Sequence, residues 1–304
     1  MPQPKVLFGL GTGAWNGAAV ADAGQLLESA VQADRDGLDV LAIADHPYFG
    51  DRLDAYATLG VVLGQTSSIA GAVTVTNPSR PAPLLARTLT SLSALSGGRI
   101  IFGIGAGGLW DQIANFGVPR RSPGQAVREM EEAINLVRLL SGGGEPVTFD
   151  GEFYKVSGIE PAPSPAPPVW TGSGGPKSLA VTGRLADGWV PPRAADWLNP
   201  AYRQARPLID AAAASAGRDP AQVASIFNFG GRITHDPLPA ARDDDGRWVG
   251  GTVAQWAEEL TDAVLEHGAG GFLYRSTDET PPAVALGRWA NEVVPAVREA
   301  IAKG

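Results

Sequence analysis

Cysteine is absent from this chain of 304 residues. That absence removes disulfides, zinc–thiolate sites and cysteine nucleophiles together. Histidine is scarce, at three copies, and neither a His-x-x-x-His pair nor an acidic cluster gives metal-ligand spacing, so no metal is expected. Basic residues are outnumbered, 24 against 32, and the net charge of −8 is spread without long runs. Such a balance argues against a nucleic-acid surface and against a polybasic membrane contact. No apolar run approaches membrane-spanning length, and the one after Met1-Pro2-Gln3-Pro4-Lys5 is too short for a signal sequence. Together these absences lead to the expectation of a soluble, cytoplasmic protein acting on a small molecule.

Glycine and proline, by contrast, are abundant, at 39 and 25 residues, where average usage is about 7 % and about 5 %. Low complexity is excluded because hydrophobic residues reach 44 % and recur in blocks throughout. The glycines and prolines therefore punctuate many short ordered elements. Short apolar strands are expected at Val6–Leu10, Val40–Ala44, Ser68–Val75, Ile100–Ile104, Val169–Thr171, Asp187–Val190, Val223–Phe229 and Phe272–Tyr274. Helical periods follow most of them, as at 24–36, 56–65, 84–95, 124–140, 177–184, 197–215, 253–266 and 283–300. Pro161–Pro168, with five prolines, reads as an extended connection because the βα rhythm resumes directly after it.

Buried short strands alternating with helices imply a parallel sheet. Eight units fit a single (β/α)₈ TIM barrel over residues 1–304; such a barrel takes about 250 residues, leaving on the order of 50 for loop insertions at its C-terminal face. An open doubly wound sheet is the alternative. In a barrel the active site is built at the carboxyl ends of the strands.

The second strand ends in Asp45-His46-Pro47-Tyr48, placing a side chain suited to proton transfer beside a carboxylate. Capping by Asp45 and wall packing by His46 would serve equally, and His235 and His267 read as structural. The third ends Thr74-Val75-Thr76-Asn77-Pro78, where Thr and Asn could bond a flat heterocycle or form an ordinary turn. The fourth ends Gly103-Ile104-Gly105-Ala106-Gly107-Gly108, permitting close backbone approach to a ligand. Its spacing and position fit a dinucleotide fingerprint poorly. The fifth ends Thr171-Gly172-Ser173-Gly174-Gly175-Pro176-Lys177. A glycine-rich loop at a helix N-terminus is an anion site, with Ser173 and Lys177 as assistants. Arg232–Gly251, which interrupts the rhythm after the seventh strand, fits a lid, a rim loop or a solvated turn.

Taken together, Ala44-Asp45-His46-Pro47, Val75-Thr76-Asn77-Pro78, Leu95-Ser96-Gly97-Gly98-Arg99, Gly103-Ile104-Gly105-Ala106-Gly107, Phe149–Tyr154, Ala186-Asp187-Gly188-Trp189 and Val293–Arg298 resemble the bacterial luciferase-like superfamily, in its coenzyme F420-dependent oxidoreductase branch. The resemblance runs in order along nearly the whole chain. It implies a barrel, often a homodimer, that holds coenzyme F420 or FMN. It places the cofactor phosphate around Gly172, Ser173, Gly174, Gly175, Pro176 and Lys177. It makes Thr74–Val75 a non-prolyl cis peptide behind the central ring, with Thr76 and Asn77 at the pyrimidine end and Gly105, Ala106 and Gly107 as floor. Asp45 and His46 would line the polar edge and the substrate side, and Trp15 and Trp110 an apolar substrate wall. Where the glucose-6-phosphate-oxidising members carry a Glu after the fourth-strand Gly-x-Gly, this chain has Gly108, so that sugar chemistry is not expected. The implied activity is hydride transfer between F420 and a C=C, C=N or carbonyl group. Two alternatives are an FMN-dependent monooxygenase using O₂ and a non-catalytic flavin- or F420-binding protein.

Overall fold

A computed structural model describes residues 5–12, 18–194, 196–277 and 279–303. Eight parallel strands close into a barrel: β1 (Leu7–Gly11), β2 (Val40–Ile43), β3 (Ala70–Val73), β4 (Ile100–Ile104), β5 (Val169–Thr171), β6 (Gly188–Trp189), β7 (Ala224–Gly230) and β8 (Ala269–Arg275). The first strand pairs with the last, Leu7 facing Gly271 and Phe8 facing Phe272. That seam decides for the closed barrel over the open sheet.

Alternation along each strand sorts side chains into two cores. Val40 and Ala42 point into the barrel with Ala72, Ile101, Trp170 and Ile226. Leu41 and Ile43 point outward into the helix layer. The outer core is aromatic between β7, β8 and their helices, where Trp197, Trp256 and Trp289 are fully buried.

Helix ends follow local chemistry. Ser122 and Gln125 cap each other reciprocally at the start of Pro123–Leu139, and Thr252 with Gln255 does so for Val253–Leu265. Gly97 ends Ala82–Ser96 in a left-handed conformation, φ 68°. The closing helix differs from the continuous 283–300 expectation. It runs as Pro282–Arg288, a π-helical turn Trp289–Val293, then Val294–Lys303. Pro295 has no N–H to bond the carbonyl four residues back, and the widened turn just before it absorbs the mismatch.

Several elements lie outside the strands and helices expected from the sequence. Trp110–Asn115 is a short helix, and Arg232–Ile233 pairs with Gly250–Gly251. An antiparallel hairpin joins Val147–Asp150 to Lys155–Ile159. At its turn the Glu132 carboxylate accepts from the N–H groups of Glu152, Phe153 and Tyr154, at 2.6, 3.0 and 3.2 Å. Among the described residues no helix is long and apolar enough to cross a membrane.

Candidate active site

A cavity of about 380 Å³ opens at the carboxyl ends of the strands. Its wall draws on Asp45, His46 and Tyr48 after β2, on Thr74–Asn77 after β3, and on Gly105–Leu109 after β4. Gly172–Gly175 and Ser178 after β5, Val190–Arg193 after β6 and Asn228 on β7 complete it. Most strand-end residues picked out from the sequence therefore meet in one place. Pro176 and Lys177 are exposed and stand outside the lining. Trp110 packs its indole against Gly107 and is not part of the lining. Trp15 lies outside the described residues. The Arg232–Gly251 segment is also off the cavity, tied down by Arg242, which bonds Asp196 at 2.7 Å and also bonds Glu259.

The floor is shaped where β3 ends. Ala72 pairs with Ile101 and Thr76 bridges to Ile104, so four steps of β3 oppose three of β4 and the strand bulges. The Thr74–Val75 peptide in that bulge is cis. Its Val75 side chain sits between β4 and β5, where a Cβ on Gly105 or Gly172 would stand 2.8 or 3.0 Å from Val75 Cγ2. These two glycines make room for Val75 before they make room for any ligand.

Arg80, unremarked in the sequence, organises the polar side. Its Nε and Nη2 donate to Asp45 Oδ2 and Oδ1 at 3.2 and 3.0 Å, and Nη2 also donates to Asp54 Oδ2 at 2.7 Å. Its guanidinium lies over the Tyr56 ring, 4.9 Å from the centroid. The Tyr56 hydroxyl meets Thr76 Oγ1 at 2.5 Å. Asn77 Nδ2 donates to the Asp45 carbonyl at 3.1 Å, and its Oδ1 accepts from Ser79 N at 3.0 Å. Thr76 and Asn77 thus border the cavity while their side chains tie loops together. The Asp45 side chain, 0 % exposed, faces Arg80. Burial pushes its carboxyl above the ordinary range, against the hydrogen bond and charge of Arg80.

Arg80→Met strands that carboxylate, and breaking such a buried pair costs about 3–5 kcal/mol. A carboxyl whose folded pKa lies above its unfolded one stabilises at low pH and loses that contribution as pH rises through the folded value. The loss measured by urea unfolding is therefore expected to be smaller at pH 5 than at pH 8.

His46 lies at the mouth, half-buried, with Nδ1 2.7 Å from the Tyr48 hydroxyl. Burial, with the Asp45 charge, pushes that hydroxyl up to about 12, so it keeps its proton through the neutral range. The Tyr48 and Phe49 rings flank the imidazole at 5.6 and 5.9 Å.

The β5 loop leads into the helix Pro176–Leu185, with Gly175 as N-cap. Trp189 Nε1 donates to the Ser173 carbonyl at 2.8 Å and fixes the loop from beneath. Ser173 is 2 % exposed, and its hydroxyl meets no hydrogen-bond partner among the described residues.

A family described as luciferase-like monooxygenase matches residues 6–280. The chain belongs to this family. Among curated relatives of this luciferase-like protein, 5,10-methylenetetrahydromethanopterin reductase of Methanolobus tindarius is 34 % identical over 63 % of this chain and 56 % of its own length. F420-dependent hydroxymycolic acid dehydrogenase of Mycobacterium tuberculosis is 28 % identical over 90 % of this chain and 84 % of its own. The chain spans about half the length of the first curated relatives it matches. A solved structure of an F420-dependent secondary alcohol dehydrogenase in complex with an F420-acetone adduct superposes with a TM-score of 0.79 at 20 % identity, over 97 % of this chain and 99 % of that one. At that identity the likeness speaks for the fold.

Proposed function

We propose that this luciferase-like barrel is an oxidoreductase moving a hydride between coenzyme F420 and a C=C, C=N or carbonyl group of a small organic substrate. The observation that carries the reading is the Ser173 hydroxyl, buried and unpartnered in a glycine-rich loop at a helix start. A buried hydroxyl without a partner is costly unless a ligand supplies one. The first N–H groups of that helix lack intrahelical acceptors and carry the positive end of its dipole, so a phosphate fits. F420 is preferred over FMN because relatives matched at 28 and 30 % identity are named as F420-dependent dehydrogenases.

In this reading the residues of the Ser173 loop bind the cofactor phosphate, and the β3 and β4 ends receive the ring. When bound, the cofactor supplies the hydride chemistry. The chain's own residues do the rest. Val75, Leu109, Val190 and the Pro191–Pro192 pair give the cavity apolar surface that keeps water away. Arg80 acts through Asp45 and Asp54 as a positioning residue for the loop that carries His46. His46 gives or takes the proton at the substrate atom next to the one that exchanges hydride. The Tyr48 hydroxyl, 2.7 Å from Nδ1, holds the imidazole in orientation.

Titration of the purified protein with F420 and FMN, each oxidised and reduced, with oxygen uptake recorded, tests the proposal. F420 binding without oxygen consumption is expected; tight binding of reduced FMN with oxygen consumption would reverse the cofactor choice. Ser173→Ala is expected to weaken F420 binding by roughly tenfold or more with no loss of melting temperature, since the hydroxyl bonds the ligand and nothing in the chain.

A further inference from the structure

Asn228 is a polar residue in an apolar strand. It interrupts Ser225-Ile226-Phe227-Asn228-Phe229 on β7, and Ile226, two residues before it, belongs to the barrel-interior core. The alternation of a strand aims Asn228 inward as well, one layer nearer the carboxyl end, where it borders the cavity. Only 8 % of the residue is exposed. Its Oδ1 is closed off from solvent and meets no hydrogen-bond partner among the described residues. On its other side stands Gly11 of β1, where a Cβ would come 2.9 Å from Oδ1, so a glycine there leaves the amide its space.

The position within the barrel says what the amide faces. In the closed order, β7 and β3 are four strands apart in either direction, so they stand diametrically across the cavity. The groups assigned above to ring and phosphate come from β3, β4 and β5. A planar ring received on that side would leave its other face toward β7, where a molecule meeting that face would meet Asn228.

We infer that Asn228 orients the substrate, its amide turning on binding so that Oδ1 accepts a hydrogen bond from an O–H or N–H group of the organic molecule that packs between it and the cofactor. This deepens the proposed function and rests on it for the identity of the ring. The acceptor makes the site selective: a molecule that brings a donor satisfies Oδ1, and an otherwise similar one with the donor methylated leaves it unpaired. In the ligand-free protein the same atom is a standing cost, so an apolar side chain of like size stabilises the fold while erasing the selectivity.

The test uses the full chain loaded with F420 and two matched probe pairs, cyclohexanol with methoxycyclohexane and 2-pyrrolidinone with N-methyl-2-pyrrolidinone, followed through cofactor absorbance. Wild-type protein is expected to bind the donor of each pair at least about tenfold more tightly than its methylated partner. In Asn228→Leu that preference falls to within about twofold, F420 affinity is unchanged, and the melting point of the ligand-free protein rises by roughly 2 °C. Asn228→Ala, which adds no bulk, repeats the binding comparison should the leucine variant misfold. A preference that survives in both variants, no donor probe binding to wild-type protein, or a melting point lowered in both variants overturns the inference. Should wild-type protein fail to take up F420, the proposed function falls instead, and the same pairs titrated into the cofactor-free chain by calorimetry still decide the role of Asn228.

Discussion

His46→Ala is expected to lower turnover with F420 by about two to four orders of magnitude, the range for loss of a positioned proton-transfer group. Cofactor affinity should change little, because the loop proposed to bind phosphate follows β5 and the residues proposed to receive the ring follow β3 and β4. The imidazole is fixed from two directions, by the 2.7 Å contact with Tyr48 and by the adjoining Tyr48 and Phe49 rings. A ring held this way sits at a defined angle to the cavity before any ligand arrives, which is what proton transfer requires. The decisive comparison is single-turnover kinetics beside an F420 titration of the same variant. Full turnover with normal cofactor binding would falsify the role given to His46.

Gly103→Ala is expected to cost more than about 4 kcal/mol, in the range where a soluble fold is lost. A Cβ there would fall 1.6 Å from the Val73 carbonyl oxygen, backbone that cannot swing aside. The closeness comes from the bulge, which brings the end of β3 onto β4 so that Thr76 N donates to Gly103 O and Gly105 N to Thr76 O, both at 2.9 Å. Gly108→Ala is the control: a Cβ there has no neighbour within 4 Å, so the change stays within about 0.5 kcal/mol. Expression in the soluble fraction, followed by urea unfolding of whatever is recovered, measures both.

The barrel was legible because its strands are short apolar runs and its helices carry periodic stripes. Ile100–Ile104 and Val169–Thr171 have the same bounds in sequence and structure. The hairpin at 147–159 was not legible, since its two short strands hold no fully buried residue and make no apolar run. Strand ends exposed the cavity for a related reason: glycine, threonine, asparagine and histidine stand out where an apolar run stops. Side-chain pairing across the chain leaves no such mark. Arg80 and Asp45 are 35 positions apart, and only the barrel brings them together. Asn228 does leave a signal, one amide inside Ile226-Phe227-Asn228-Phe229, in a strand interior rather than at a strand end.

The Arg80 guanidinium holds a carboxylate at each end of the loop that carries His46, Asp45 before it and Asp54 after it. One cation thereby clasps both ends of the segment 46–53, restricting the loop as a covalent cross-link would. In a chain without cysteine, this clasp has no thiol to oxidise and no disulfide to reduce. The shape of the loop that carries His46 is therefore independent of the thiol–disulfide poise around it, a useful property in a protein whose proposed work is itself redox chemistry.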